Sequence, residues 1–280
     1  MISDKKGQKC FLLSLITYHL SPSSMIRDKL LNEEIAMTRG FRMRGTGEIA
    51  RIEAFSDAVF AFAVTLLVVS LEVPRTFSEL METMRGFFAF AISFFSLFHV
   101  WVTQYKYFRR YGLNDNFTVW MNGFLIFVVL FYVYPLKFVW TLALNSIMGF
   151  DVNMHMPDGT VQPPVTHEQI PAMMAIYGAG FAAVFLVFLL LYLHAWRKRG
   201  QLELNLLELH DTREQIQEHA LMVLIGVLSI VTALVGGPRY GLLAGAIYWL
   251  IAPIQTIHGF IMGKRRKKLE EKHAAQAGLA

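Results

Sequence analysis

The chain holds a single cysteine, Cys10, which excludes any disulfide within it. It has no nucleophile elbow, no H-E-x-x-H pair and no G-x-x-x-x-G-K-[ST] phosphate loop, so nothing in it supports enzymatic chemistry. Proline is sparse, at nine of 280 residues, and charged residues make up only 17%. Lysine and arginine are absent from the whole stretch between Ile147 and Pro171. What is abundant is apolar, 55% of the chain, gathered into several long runs. That composition belongs to an all-α, polytopic membrane protein. A net charge of +5 in a soluble protein would suggest an acidic partner. Here the basic residues fall between apolar runs and record topology, so no nucleic acid is expected as a partner.

The stretch that organises the rest is Arg51 to Pro74. Fourteen uncharged residues, Ala58 to Leu71, are preceded by Arg51, Glu53, Ser56 and Asp57 and closed by Glu72 and Pro74. Counted from Ile52 to Val73 it is long enough to cross a bilayer as a helix. Five more spans are expected: Gly86 to Gln104, Phe117 to about Leu136 with Pro135 near its outer end, Ala172 to Trp196, Ala220 to Val235, and Tyr240 to Met262 with a kink at Pro253. Asp211 with Glu214 reads as the cap of the fifth. Gly241 and Gly245 offer a small face for close packing. Residues 1–48 read as a cytoplasmic extension, poorly ordered or partly helical, residues 49–262 as a six-helix membrane domain, and residues 263–280 as a basic tail. Within the extension, Cys10 to Leu20 is apolar but too short to span.

Charge fixes the orientation. The segment through Arg51 carries nine Lys/Arg, the loop after the second span Lys106, Arg109 and Arg110, and the loop after the fourth Arg197, Lys198, Arg199 and Arg213. The tail opens Lys264-Arg265-Arg266-Lys267-Lys268. The alternate loops hold Arg75 and Arg85, then none, then Arg239. By the positive-inside rule both termini are cytoplasmic and there are six spans.

Polar groups within the spans gather at the cytoplasmic side. Asp57 lies roughly 9 Å inside the first helix, where an ionisable group needs a partner or a water-filled cavity. A hydrogen-bonded cluster tying Arg51, Ser56 and Asp57 to Trp101, Gln104 and Asn122 would satisfy these residues. His99, His194, His219 and His258 permit a bis-histidine haem, although nothing in their spacing demands it and ordinary interhelical bonds are the commoner fate of such residues. Asp57 also permits a proton-coupled transporter. The loop residues Met154, His155, Met156, Asp158, His167 and Glu168 permit copper. On the first span Ala58, Phe62, Leu66 and Val69, bordered by Thr65, share one helical face. That stripe is either lipid-facing or core surface or, where copies meet on an axis, a ring that gates by dewetting.

Arg51-Ile-Glu-Ala-Phe55-Ser56-Asp57 resembles the R-x-x-x-F-S-D signature of the transmembrane protein 175 potassium channels. Trp101, Asn122 and Pro135 match that family's W…N…P spacing, and the resemblance covers residues 51–262. It implies a potassium-permeable channel in the bilayer, a homotetramer of six-helix subunits around an axis lined by the first helix. No cofactor or small-molecule substrate is implied, and the permeant ion is potassium. A bacterial inner membrane is the implied location. The resemblance puts the narrowest position on Phe62, the next layers on Leu66 and Val69, and an ion-coordinating hydroxyl on Thr65. It gives Arg51, Phe55, Ser56 and Asp57 the task of holding the first helix in place. Phe62 stands where the family has isoleucine, and Gln104 where it has histidine.

Overall fold

The computed structural model describes residues 37–38, 41–45, 51–69, 74–149, 154–155 and 161–277. Eight α-helices lie among the described residues: α1 (Arg51–Val69), α2 (Phe77–Arg85), α3 (Phe87–Tyr111), α4 (Asn116–Met148), α5 (Ile170–Arg197), α6 (Leu206–Gly236), α7 (Gly241–Ala246) and α8 (Ile251–Ala277). Two antiparallel hairpins of two-residue strands accompany them: β1 (Met37–Thr38) with β2 (Phe41–Arg42), and β3 (Met154–His155) with β4 (Val161–Gln162). Four described helical stretches are long and apolar enough to cross a membrane: Phe87–Tyr111, Asn116–Met148, Ile170–Arg197 and Leu206–Lys272, the last containing α6, α7 and most of α8.

The helices pack largely with their neighbours in sequence, as short loops dictate. α5 and α6 form the most extensive pair, α4 packs on α5, α3 on α4, and α1 lies against both α3 and α4. One core runs through them, densest where Tyr107, Phe108 and Tyr111 of α3 meet Phe188, Leu191 and Tyr192 of α5. Tyr107 and Tyr111 both meet Tyr192 edge-on, with ring centroids 5.3 and 5.7 Å apart. That edge-to-face geometry matches the aromatic quadrupoles.

Three sequence expectations are corrected. Pro135 does not sit near the end of its helix, because α4 continues thirteen residues beyond it to Met148. The proline removes one backbone donor, but the apolar residues on both sides keep the chain helical. The cap of α6 is Asn205 with Glu208, in a reciprocal capping box, rather than Asp211 with Glu214. Asp211 lies inside the helix and accepts from Arg266 Nε at 2.9 Å. The same acid-at-N3 pattern occurs twice within ten residues, and the earlier copy closes the turn that follows α5. Helix α8 runs through Pro253, and the irregularity comes before it, as a 3-10 turn at Ile247–Leu250. There Trp249 has a carbonyl that Pro253 cannot serve. Gly241 does pack closely, since a Cβ there would overlap Ile170 of α5. Leu202 and Leu204, before α6, pack against the main core.

Candidate functional site

α1 has two faces. Ser56, Phe60, Ala63 and Leu67, spaced four, three and four residues apart, are at most 5% exposed. They form the stripe that a 3.6-residue period presents to a neighbouring layer. On the opposite side Ala58, Ala61, Phe62, Thr65 and Val68 are exposed, Phe62 by 56%. Leu66 lies at the border, half-buried against the core. The side chain of Val69 lies outside the described residues.

The buried face is held by a relay of neutral polar groups. Gln104 Nε2 of α3 donates to Asn122 Oδ1 of α4 at 2.7 Å. Asn122 Nδ2 donates to Ser56 Oγ at 2.7 Å, and Ser56 Oγ–H donates to the Ile52 carbonyl at 2.7 Å. All three side chains are essentially sealed from solvent. Beside the relay, Trp101 Nε1 donates to Asp57 Oδ1 at 2.7 Å. The structure brings Ser56, Asp57, Trp101, Gln104 and Asn122 together. Arg51 and Phe55 are exposed and take no part in these bonds.

At the other end of α1, Lys137 Nζ of α4 donates to the Leu67 carbonyl at 3.0 Å. Sequence reading missed this tie because it ended the third span at Leu136. α1 is thus fastened from behind at both ends, with its other face free. On that face the Thr65 hydroxyl donates to the Phe62 carbonyl at 2.7 Å. With its proton turned to the backbone, Thr65 Oγ1 keeps lone pairs for a cation.

Of the four candidate histidines, His194, His219 and His258 have separate partners. His194 Nε2 sits 2.7 Å from Asp115 Oδ2 and His258 Nε2 3.3 Å from Gln217 Oε1. His219 is sealed among the rings of Phe185, Phe188 and Tyr192. Among the described residues, the one group of three that could hold a metal is His210, Asp211 and Glu214. Arg266 already neutralises Asp211 there. Of the copper candidates, Met156 and Asp158 lie outside the described residues, as does Cys10.

Asp115 caps α4 and collects Thr118 N–H at 3.3 Å, Lys198 Nζ at 2.9 Å and His194. Burial opposes its charge, but the bonds from Thr118, Lys198 and His194 outweigh burial. They hold its carboxyl well below the usual carboxylate range.

Comparison with known proteins bears on the same residues. The family model for the endosomal/lysosomal potassium channel TMEM175 matches residues 51–132, from the first residue of α1 through both ends of the relay. A potassium channel from Marivirga tractuosa is 37% identical over 244 residues, covering 86% of this chain and 98% of that protein. A potassium channel from Chamaesiphon minutus is 30% identical over 156 residues, 53% of this chain and 66% of its own length. The crystal structure of the potassium channel MtTMEM175 T38A variant, in complex with a nanobody–MBP fusion, superposes with a TM-score of 0.69. It does so at 37% identity over 81% of this chain and 99% of that one.

Proposed function

This chain belongs to the TMEM175 family of potassium channels, and from that premise we propose that it conducts potassium passively through a central pore formed by four copies. It is an integral membrane channel and not an enzyme. Each subunit contributes six spans: α1, α3, α4, α5, α6, and α7 with the first part of α8. Both termini lie in the cytoplasm of a bacterial cell, with the inner membrane as host.

The observation that carries this reading is the division of α1. Its back is fastened to α3 and α4 by polar bonds, while Ala58, Phe62 and Thr65 face outward from the subunit. Four copies around an axis turn that free face into a lumen. Phe62 is the constriction, an apolar ring that gates by excluding or admitting water. Thr65, one turn further out, offers a hydroxyl oxygen in place of a hydration oxygen. Leu66 and Val69 flank the lumen and complete the apolar lining. Arg51 and Phe55 steady the inner end of α1 in the assembly. No charged residue lies between Ala58 and Leu71, so the apolar constriction itself holds no group to carry protons. No cofactor or small-molecule substrate enters.

The test is potassium flux in liposomes containing the purified chain, with sodium for comparison. Native protein passes potassium ahead of sodium, and Phe62→Ala raises conductance or loosens selectivity. An assembled tetramer that passes neither ion would overturn the reading.

A further inference from the structure

Just before α1, residues Phe41–Gly45 are seated in a receptor that lies apart from the exposed face of α1. Glu208 has no solvent exposure although it is a carboxylate. Arg44 grips it with two parallel bonds, Nη1 to Oε1 at 3.1 Å and Nη2 to Oε2 at 2.8 Å. The Arg42 backbone N–H donates to Oε1 at 2.8 Å and the Asn205 N–H to Oε2 at 2.9 Å. Arg44 Nε donates to the Leu202 carbonyl at 2.9 Å. Glu203, whose φ of 47° lies in the left-handed region, turns its carbonyl toward Arg42 Nη2 and Arg44 Nη2. A non-glycine residue held there, next to a buried carboxylate with four donors, is a socket shaped for one guanidinium.

The rest of the segment is seated as firmly. Phe41 is 1% exposed, edge-on to Tyr111 at 5.6 Å, with the Arg110 guanidinium 5.0 Å over its ring. Gly45 N–H donates to the Arg109 carbonyl at 3.1 Å, and Arg109 Nη1 returns a bond to the Gly45 carbonyl at 2.9 Å. Gly112, with a φ of 58°, lets this strand pass, because a Cβ there would stand 3.0 Å from the Arg44 carbonyl. The receptor is built from the cytoplasmic end of α3 and the start of α6. The Trp101, Asn122 and Lys137 bonds that hold α1 from behind come from α3 and α4. Five residues, 46–50, separate Gly45 from Arg51, the first residue of α1.

We propose that the Arg44–Glu208 socket is an anchor that sets the position of α1, so that Arg44 and Glu208 are positioning residues for conduction. The inference rests on α1 lining the pore. Movement of α6 is passed through the seated segment to the end of α3 where Gly45 and Arg109 bond, and α3 holds α1 through Trp101 and Asp57, so loosening the seat alters how often the Phe62 ring is wetted. The ring itself, and with it the choice of ion, is untouched.

The test uses the full chain in liposomes, with flux expressed per assembled channel. Glu208→Gln keeps the shape and removes the charge, Arg44→Lys keeps the charge and removes the fork, and Gly45→Ala drives a Cβ to 2.5 Å from the Phe108 carbonyl. Each is expected to change potassium flux by about threefold or more, with the potassium-to-sodium ratio unchanged. Gly45→Ala alters no charge and decides the matter should Glu208→Gln fail to assemble. Native flux per channel in these variants, with only the melting temperature lowered, would overturn the proposal and leave a purely structural clamp. Phe62→Ala runs alongside. If Phe62→Ala has no effect the pore assignment fails, whereas a response there without one from the socket variants removes the anchor alone.

Discussion

Two clusters hold one end of this subunit together, and they use different chemistry. The relay Gln104–Asn122–Ser56 is neutral, made of amides and a hydroxyl, and lies within the packed spans. The socket around Glu208 is ionic and lies where α6 begins. Depth explains the difference. In hydrocarbon a neutral relay satisfies every group at little cost, while a charge needs compensation that few sites supply. At the start of a helix a carboxylate can be buried because the Arg44 guanidinium and two backbone N–H groups converge on it. Neutral bonds give way in small steps, whereas an ion pair stripped of one partner leaves a buried charge behind.

The largest effect should therefore come from Glu208→Ala, which strands the Arg44 guanidinium. Removing one member of a buried pair costs about 3–5 kcal/mol, read as a lower melting temperature of the detergent-solubilised protein. Asn122→Ala removes two bonds of the relay at once. Interhelical bonds in membranes are weaker, so a loss of about 1–2 kcal/mol is expected in the same measurement. A cost equal to that of Glu208→Ala would erase the distinction between the clusters. Asp115→Asn sharpens it from a third position. The Asp115 carboxylate, 30% exposed, is stabilised by Lys198, His194 and Thr118. Its folded-state value lies below the unfolded one, so its contribution is full above about pH 4 and fades as the pH falls further. The variant should melt below the native protein at pH 7, by about 1 kcal/mol, and the gap should close on acidification below pH 4. A gap that held constant with pH would mean the carboxylate charge contributes nothing.

How much of this could be read in the sequence depends on range. The polar cluster was legible because Ser56, Asp57, Trp101, Gln104 and Asn122 fall at matching depth on three consecutive spans. The outward face of α1 was legible from its period, although Leu66 turns further toward the core than a four-residue step from Phe62 implies. Lys137 was hidden by Pro135, which reads as a helix end in water but lies inside a helix here. The socket was hidden by distance, since Arg44 and Glu208 are 164 positions apart and neither belongs to a motif. Only the Asn205–Glu208 capping pattern marked that end of it, and Asp211 with Glu214 competed for the same reading.

The account turns on which face of α1 meets the ions. Because Cys10 is the only native cysteine, a Cys10→Ser chain is a clean background for single cysteines along the helix. Silver ion, close to potassium in size and avid for thiolate, then reports exposure to the path during flux. Phe62→Cys and Thr65→Cys should be blocked by silver, while Phe60→Cys and Ala63→Cys, on the buried stripe, should continue to conduct. Block at Phe60 and Ala63 with Phe62 and Thr65 spared would contradict the account.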